Sequence, residues 1–380
     1  MAKTRAEAGP KPTPGDFEHM RSALALGRRG LGRTWPNPAV GCVLVKDGAI
    51  VGRGWTQPGG RPHAETEALG RAGAAARGAT AYVTLEPCAH HGQTPPCADA
   101  LVRAGVAHAV VAIRDPDPRV NGQGIAALIH GGVAVTEGVL ADEASDLNAG
   151  FLMRVQAGRP LVTAKVASSL DGRIATADGE SRWITGEDAR AHGHLLRAQS
   201  DAIVVGSGTA LADNPMLDCR LWGMADRSPV RVVLDGRLRT PLTAHLVATA
   251  RTQRTWLVTM PGRDHARRKA FAESGVEVIE VAVGAEGSPD PGAALAALAT
   301  RGITRVLVEG GRHLAAALLR AKLVDRLVWY RAPILLGGDG IAAASAFGLG
   351  RLADAPHFER MRAGTAGDDT VEWFRATRSP

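Results

Sequence analysis

A histidine, a glutamate and two cysteines constrain this chain more than any other feature: His63-Ala64-Glu65, then Pro87-Cys88, then Cys97. Neutral imidazole and two thiolates fill three positions of a tetrahedral zinc site and leave the fourth open for water. Glu65 is not needed as a ligand, so it can carry protons between that water and a departing amine. The set therefore points to hydrolytic removal of an amino group from a heterocycle. Without such partners His63 would read as a structural histidine and the cysteines as small buried hydrophobes. A purely structural zinc module is the rival reading; it would need a fourth protein ligand and has no use for Glu65. His90 and His91 are candidates to compete as ligands, and a place beside the site or in solvent suits them better.

Eight residues separate Cys88 from Cys97, reading Ala-His-His-Gly-Gln-Thr-Pro-Pro, where the common deaminase form has Cys-x-x-Cys. The whole run Thr84-Leu85-Glu86-Pro87-Cys88-Ala89-His90-His91-Gly92-Gln93-Thr94-Pro95-Pro96-Cys97 resembles the pyrimidine deaminase half of the bifunctional deaminase/reductase family of riboflavin biosynthesis. That resemblance assigns the metal to His63, Cys88 and Cys97, and it matches Asn37 to a substrate-binding position. Asn37, between prolines, reads equally well as a turn residue. The family usually carries a histidine where this chain has Thr56.

A chain of 380 residues exceeds the usual single core, so two domains are expected. The boundary falls near Gly158-Arg159-Pro160, giving a tail over 1–15 expected to be disordered, a deaminase domain over 16–157 and a reductase domain over 158–380. Apolar content of 45% with 22% charged residues suits a soluble globular protein, and no apolar run is long enough to span a membrane. The net charge of +7 reads as a solvated basic surface or as attraction for phosphorylated small molecules. With 4% aromatic residues and no basic-aromatic stripe, nucleic-acid binding is disfavoured, and so is a nucleic-acid-editing deaminase. Cys42 and Cys219 lie far apart, a reducing-compartment pattern that places the chain in the cytoplasm.

In the first half a helix is expected over 17–28, a hairpin over 39–55 turning at Asp47-Gly48, and a helix over 63–75 opening on His63. A strand over 79–85 delivers Cys88. A helix over 97–104 presents its N-terminal amides to the Cys97 thiolate. Further strands are expected over 108–113 and 133–136. The second half reads as a largely parallel α/β sheet with strands over 161–166, 202–205, 230–234, 255–258, 276–281 and 305–308, closed by 324–332 and 370–374.

That half lacks Gly-x-Gly-x-x-Gly. It carries instead Lys165-Val166-Ala167-Ser168-Ser169-Leu170-Asp171-Gly172, Ser181-Arg182-Trp183-Ile184-Thr185-Gly186, Val205-Gly206-Ser207-Gly208-Thr209, Ala212-Asp213-Asn214-Pro215-Met216-Leu217 and Val308-Glu309-Gly310-Gly311. Glycine-rich turns after strands let a backbone approach phosphates. In this order the segments look like the reductase half of the same family. The resemblance, over about residues 16–376, implies a cytidine-deaminase-like three-layer α/β/α domain followed by a dihydrofolate-reductase-like α/β domain, with Zn2+ and NADPH as cofactors.

It further implies that Ala167, Trp183, Thr209, Asp213, Gly236 and the turn Gly311, Arg312, His313, Leu314, Ala315, Ala316, Ala317 contact NADP. Ser181, Arg197, Leu217, Arg220 and Glu309 would contact a phosphorylated ribosylaminopyrimidine, with Arg197 and Arg220 as the natural phosphate clamps. Lys165 and Asp213 are candidates to polarise or protonate the ring-opened sugar; Asp213 also reads as a surface ion pair or an N-cap. A dimer or tetramer is implied. Asp218 and Gly236 depart from the usual Thr and Ser, which keeps a deaminase with a degenerate reductase half as the alternative.

Overall fold

The computed structural model describes residues 10–90, 95–118, 120–284 and 287–377. The chain divides into two compact units, Met1–Ala157 and Gly158–Pro380. The first is built on strands β1 (Gly41–Lys46), β2 (Ala49–Trp55), β3 (Thr80–Val83), β4 (His108–Val111) and β5 (Ala134–Glu137), in the order β2-β1-β3-β4-β5. β1 runs antiparallel to β2 and β3, while β3, β4 and β5 are parallel. At the expected hairpin turn Asp47 and Gly48 both have positive φ, 50° and 77°, whose twist matches that of the flanking strands.

The helices of this unit are α1 (Pro14–Gly27), α2 (Ala64–Ala72), α3 (Cys97–Arg103), α4 (Gln123–His130), α5 (Ala141–Leu147) and α6 (Ala149–Ala157). Alternation along β1 assigns them to faces. Cys42 and Leu44 pack with Ala64, Ala68, Leu101 and Leu128 of α2, α3 and α4. Val43 and Val45 pack with Met20, Leu24 and Leu147 of α1 and α5. The result is the expected three-layer α/β/α arrangement.

The first helix starts earlier than its apolar periodicity suggests. Asp16 accepts hydrogen bonds from the Thr13 backbone N–H (2.7 Å) and hydroxyl (2.8 Å), and Pro14 sits where a helix needs no N–H. Pro14 and Gly15 therefore belong to α1 and not to the tail expected over 1–15; residues 1–9 of that tail lie outside the described residues.

The second unit holds β6 (Leu161–Ser169), β7 (Arg173–Ala175), β8 (Ala202–Gly206), β9 (Val230–Leu234), β10 (Thr255–Thr259), β11 (Glu277–Glu280), β12 (Arg305–Glu309), β13 (Arg326–Ala332), β14 (Ile341–Ala342), β15 (Phe358–Ala366) and β16 (Asp369–Ala376). Nine of these form one sheet, β11-β10-β9-β8-β12-β6-β13-β16-β15, and β7 pairs with β14. β11 through β13 are parallel; β16 and β15 are antiparallel. Helices α7 (Glu187–Ala198), α8 (Ser207–Asp213), α9 (His245–Ala248), α10 (His265–Glu273), α11 (Pro291–Thr300) and α12 (Arg312–Arg320) connect the strands. β15 escaped the sequence reading because it is an edge strand exposed along most of its length, so it carries no apolar run. Among the described residues no helix is long and apolar enough to cross a membrane.

Candidate active sites

In the first unit the end of β2, the start of α2 and the start of α3 converge. His63 occupies the N-cap of α2, and Glu65 lies in its first turn. Gly54 permits the close approach: a Cβ there would stand 2.0 Å from the Ala64 carbonyl oxygen. His63 Nδ1 lies 3.4 Å from Cys97 Sγ and 3.7 Å from Cys88 Sγ. Bond lengths of roughly 2.0 Å to nitrogen and 2.3 Å to sulfur put tetrahedral N···S edges at about 3.5 Å, so the donor set fits zinc. All three ligand atoms fall within 4.8 Å of one another, and no fourth side chain joins the group among the described residues. His90 does not join it; its Nδ1 is buried with no hydrogen-bond partner among the described residues. His91 lies outside the described residues.

The electrostatics agree. A hydrogen bond from Cys97, with His63 beside it, holds Cys88 down to about 4 against burial. The bond to Cys88 and burial push Cys97 up. The two thiols thus oppose each other's ionisation, and a dication among them would supply the charge that lets both ionise. The first amide of α3, Cys97 N–H, points at Cys88 Sγ (3.3 Å). This corrects the expectation that the α3 amides serve the Cys97 thiolate. Burial pushes the Glu65 carboxyl up to about 7, against the pull of His63. That value suits a group that both takes and returns protons near neutrality.

Asn37 Nδ2 donates to the Gly60 carbonyl (2.8 Å), which fixes its amide. Gly60 has no side chain to obstruct it: a Cβ there would stand 2.3 Å from Asn37 Nδ2. Thr56 is buried, and its hydroxyl accepts from Val40 N–H (3.0 Å). The position where the family usually has histidine here ties the loop before β1 to the end of β2.

In the second unit, Lys165 of β6 and Glu309 of β12 are register partners on neighbouring strands. Glu309 Oε2 lies 4.0 Å from Lys165 Nζ. Arg197 of α7 grips Glu309 with Nε (2.7 Å) and Nη2 (3.0 Å) and donates Nη1 to the Asp218 carbonyl (2.9 Å). Burial opposes ionisation of Glu309, but the Arg197 guanidinium holds its carboxyl below the usual range. Tyr330 of β13 places its ring 5.6 Å from Lys165 Nζ. Arg197, Glu309 and Lys165 thus form one cluster. Tyr330 was missed by sequence reasoning, although the chain has only 2 tyrosines and this one interrupts an apolar strand.

The parallel strands β8 and β12 are neighbours, and both lead into glycine turns and helices. Gly310 and Gly311 have φ of 79° and 84°, and a Cβ on either would stand 3.3 Å from Thr209 Oγ1. Thr209 and these glycines therefore lie together at the C-terminal ends of neighbouring parallel strands, the end at which open α/β sheets bind ligands. The segment expected as a turn through Ala317 is helix α12 from Arg312 onward. Leu314 and Ala316 are buried in it, so their side chains serve the core, while Arg312 and His313 are exposed and Ala315 and Ala317 half-buried.

The remaining predicted residues scatter. Trp183 is 67% exposed, with Arg190 Cζ 4.7 Å from its ring centre. Ser181 is exposed. Asp213 is exposed at the C-terminal end of α8, which rules out an N-cap. Ala167 lies on β6 beside Tyr330. Leu217 is buried with a φ of 53°, so its side chain is core and only its backbone can meet a ligand. Arg220 Nε lies 3.5 Å from Asp218 Oδ1. The extra carboxylate of Asp218 thus faces a guanidinium. Gly236 has its own cause: a Cβ there would stand 2.7 Å from Pro289 Cδ, so the usual serine does not fit.

Ligand geometry and paired α/β units together define a zinc-dependent deaminase joined to a nucleotide-dependent reductase. Residues 15–113 match the model of the cytidine and deoxycytidylate deaminase zinc-binding region, and residues 160–371 match the RibD C-terminal domain. Riboflavin biosynthesis protein RibD of Escherichia coli K12 is 44% identical over 93% of this chain and 97% of its own. That of Aquifex aeolicus is 36% identical over 95% and 98%. The crystal structure of Acinetobacter baumannii RibD, form 1, superposes with a TM-score of 0.86 at 41% identity, covering 96% of this chain and 99% of that one. A Thermotoga maritima diaminohydroxyphosphoribosylaminopyrimidine deaminase/5-amino-6-(5-phosphoribosylamino)uracil reductase superposes with a TM-score of 0.83 at 34% identity over the same shares. The chain belongs to the RibD family of bifunctional deaminase/reductases of riboflavin biosynthesis. Zn2+ and NADPH are its cofactors.

Proposed function

We propose that this chain performs consecutive steps on one phosphorylated pyrimidine. The first unit deaminates 2,5-diamino-6-(5-phosphoribosylamino)pyrimidin-4-one. The second reduces the ribosyl group of the resulting 5-amino-6-(5-phosphoribosylamino)uracil to ribityl. The convergence of His63, Cys88 and Cys97 beside buried Glu65 carries the reading. His63, Cys88 and Cys97 would hold the zinc, which would supply the Lewis acidity that makes water a nucleophile near neutral pH. Glu65 takes a proton from the attacking water as its oxygen adds to the ring carbon bearing the exocyclic amine. Glu65 passes that proton to the ring nitrogen, then carries the second proton, from the newly added hydroxyl, to the amine, which leaves as ammonia as the carbonyl forms. Asn37, anchored through its amide nitrogen, orients the pyrimidine.

In the second unit NADPH supplies the hydride. Thr209 and the Gly310-Gly311 backbone line its crevice, with Ala167, Trp183, Gly236 and the start of α12 as further contacts. Lys165 donates a proton to the sugar oxygen as the ring opens, and Glu309 with Arg197 fixes that ammonium. Asp213, exposed at the end of α8, serves the cofactor side of the crevice. Ser181, the Leu217 backbone, Arg197 and Arg220 hold the phosphorylated substrate, whose phosphate competes with Asp218 for Arg220. The protein works in the cytoplasm as a homodimer or homotetramer and binds neither nucleic acid nor membrane.

Zinc removal tests the division of labour. Chelated protein should release no ammonia from the diaminopyrimidinone yet oxidise NADPH when given the aminouracil directly. Loss of both reactions on chelation would refute a zinc role confined to the first unit.

A further inference from the structure

Glu86 lies in the loop that follows β3, two residues ahead of Cys88, and is 4% exposed. Its carboxylate accepts hydrogen bonds from four backbone amides. Oε2 takes Asp115 N–H (3.2 Å) and Gly122 N–H (3.0 Å). Oε1 takes Gly124 N–H (2.9 Å) and Ile125 N–H (3.2 Å). The latter pair opens α4, whose N-cap is Gly122 and brings no side chain of its own. A helix start needs an acceptor for such amides, and a carboxylate suits its dipole. Here the acceptor comes from another segment, the loop that leads from β3 to a predicted zinc ligand.

The same helix start lies flat against that ligand's approach. A Cβ on Gly124 would stand 1.9 Å from the Pro87 carbonyl oxygen. From the other side, Ala98 N–H donates to the Cys88 carbonyl (3.2 Å), and Cys97 N–H reaches Cys88 Sγ (3.3 Å). Cys88 is therefore gripped between the starts of α3 and α4.

We infer that Glu86 is a positioning residue: with Gly124 it forms a latch that fixes Pro87-Cys88, so that the Cys88 thiolate is pre-placed for zinc. This rests on the reading of His63, Cys88 and Cys97 as ligands. Outer partners of metal ligands change metal affinity by about 10- to 100-fold when removed. Glu86→Gln keeps the volume but replaces one acceptor oxygen by a donor facing amides, so half the grip is lost. Gly124→Ala leaves the carboxylate intact and pushes on Pro87 instead.

The test is the rate of zinc release from zinc-loaded full-length protein to a chromogenic chelator. Glu86→Gln and Gly124→Ala should each accelerate release about tenfold or more, and Glu86→Ala further still. Leu128→Ala is the control: it opens a cavity under the same helix, one turn beyond Gly124 and without removing any hydrogen bond of the latch, and should lower thermal stability without accelerating release. Release near the wild-type rate in both Glu86→Gln and Gly124→Ala overturns the latch, as does a Leu128→Ala protein that loses zinc as fast as they do. Wild-type protein that retains no zinc overturns the ligand reading and the latch with it.

Discussion

The two sites of this chain are built in opposite ways. The proposed deaminase centre draws its ligands and base from the starts of two helices and the segment between, and Glu65 and Cys97 are almost wholly buried. The proposed reductase site spreads from β6 to α12, with the half-buried charges of Lys165, Arg197 and Glu309 at its centre and exposed groups such as Trp183 and Arg220 at its rim. A metal dictates donor type and distance, so the first site is rigid and all-or-none. A dinucleotide and a sugar phosphate are met largely by backbone and by shape, so the second should degrade in steps.

The largest effect that would sharpen this contrast is Cys97→Ala. Zinc content and ammonia release should both fall to background, while NADPH oxidation with the aminouracil stays within about twofold of wild type. Unchanged zinc content would break the ligand assignment. Next is Glu65→Gln, expected to retain zinc and lose about 10²- to 10⁴-fold in deamination rate. Deamination close to the wild-type rate would remove Glu65 as the base.

In the reductase, Arg197→Ala leaves Glu309 buried without its guanidinium. It should cost about 3–5 kcal/mol in thermal unfolding and raise KM for the phosphorylated substrate more than for NADPH. Equal loss toward both ligands would contradict its place on the substrate side. Because Arg197 holds the Glu309 carboxyl low, the stability contributed by this pair is present above the usual carboxylate range and lost as pH falls through the lowered value. Glu309→Gln should flatten that acid limb in melts recorded across pH. The smallest effect is Gly236→Ser, expected to cost about 1–3 kcal/mol by crowding Pro289. A neutral result would show that Pro289 yields without cost.

The same contrast explains what could be read in advance. His63, Glu65, Cys88 and Cys97 stood out because metal chemistry accepts few residue types. Glu86 was visible in the quoted motif but had no evident role, since its partners are amides that any residue supplies. Gly54 and Gly236 look like ordinary glycines until the neighbouring backbone or proline is in place. Leu217, Leu314 and Ala316 sit in motif positions yet turn their side chains to the core, because a motif marks where the backbone passes and not which way a side chain points. The parallel strands were legible from their apolar runs. β15 was not, and the start of α1 was signalled by Thr13-Pro14-Gly15-Asp16 and not by periodicity.

The most direct test of the account is one assay on zinc-replete protein supplied with the diaminopyrimidinone ribosyl phosphate, following ammonia release and NADPH oxidation separately. The account predicts both, with ammonia appearing first and NADPH consumed in equal amount. Ammonia without NADPH oxidation would contradict the bifunctional reading and leave a deaminase attached to an inactive reductase fold.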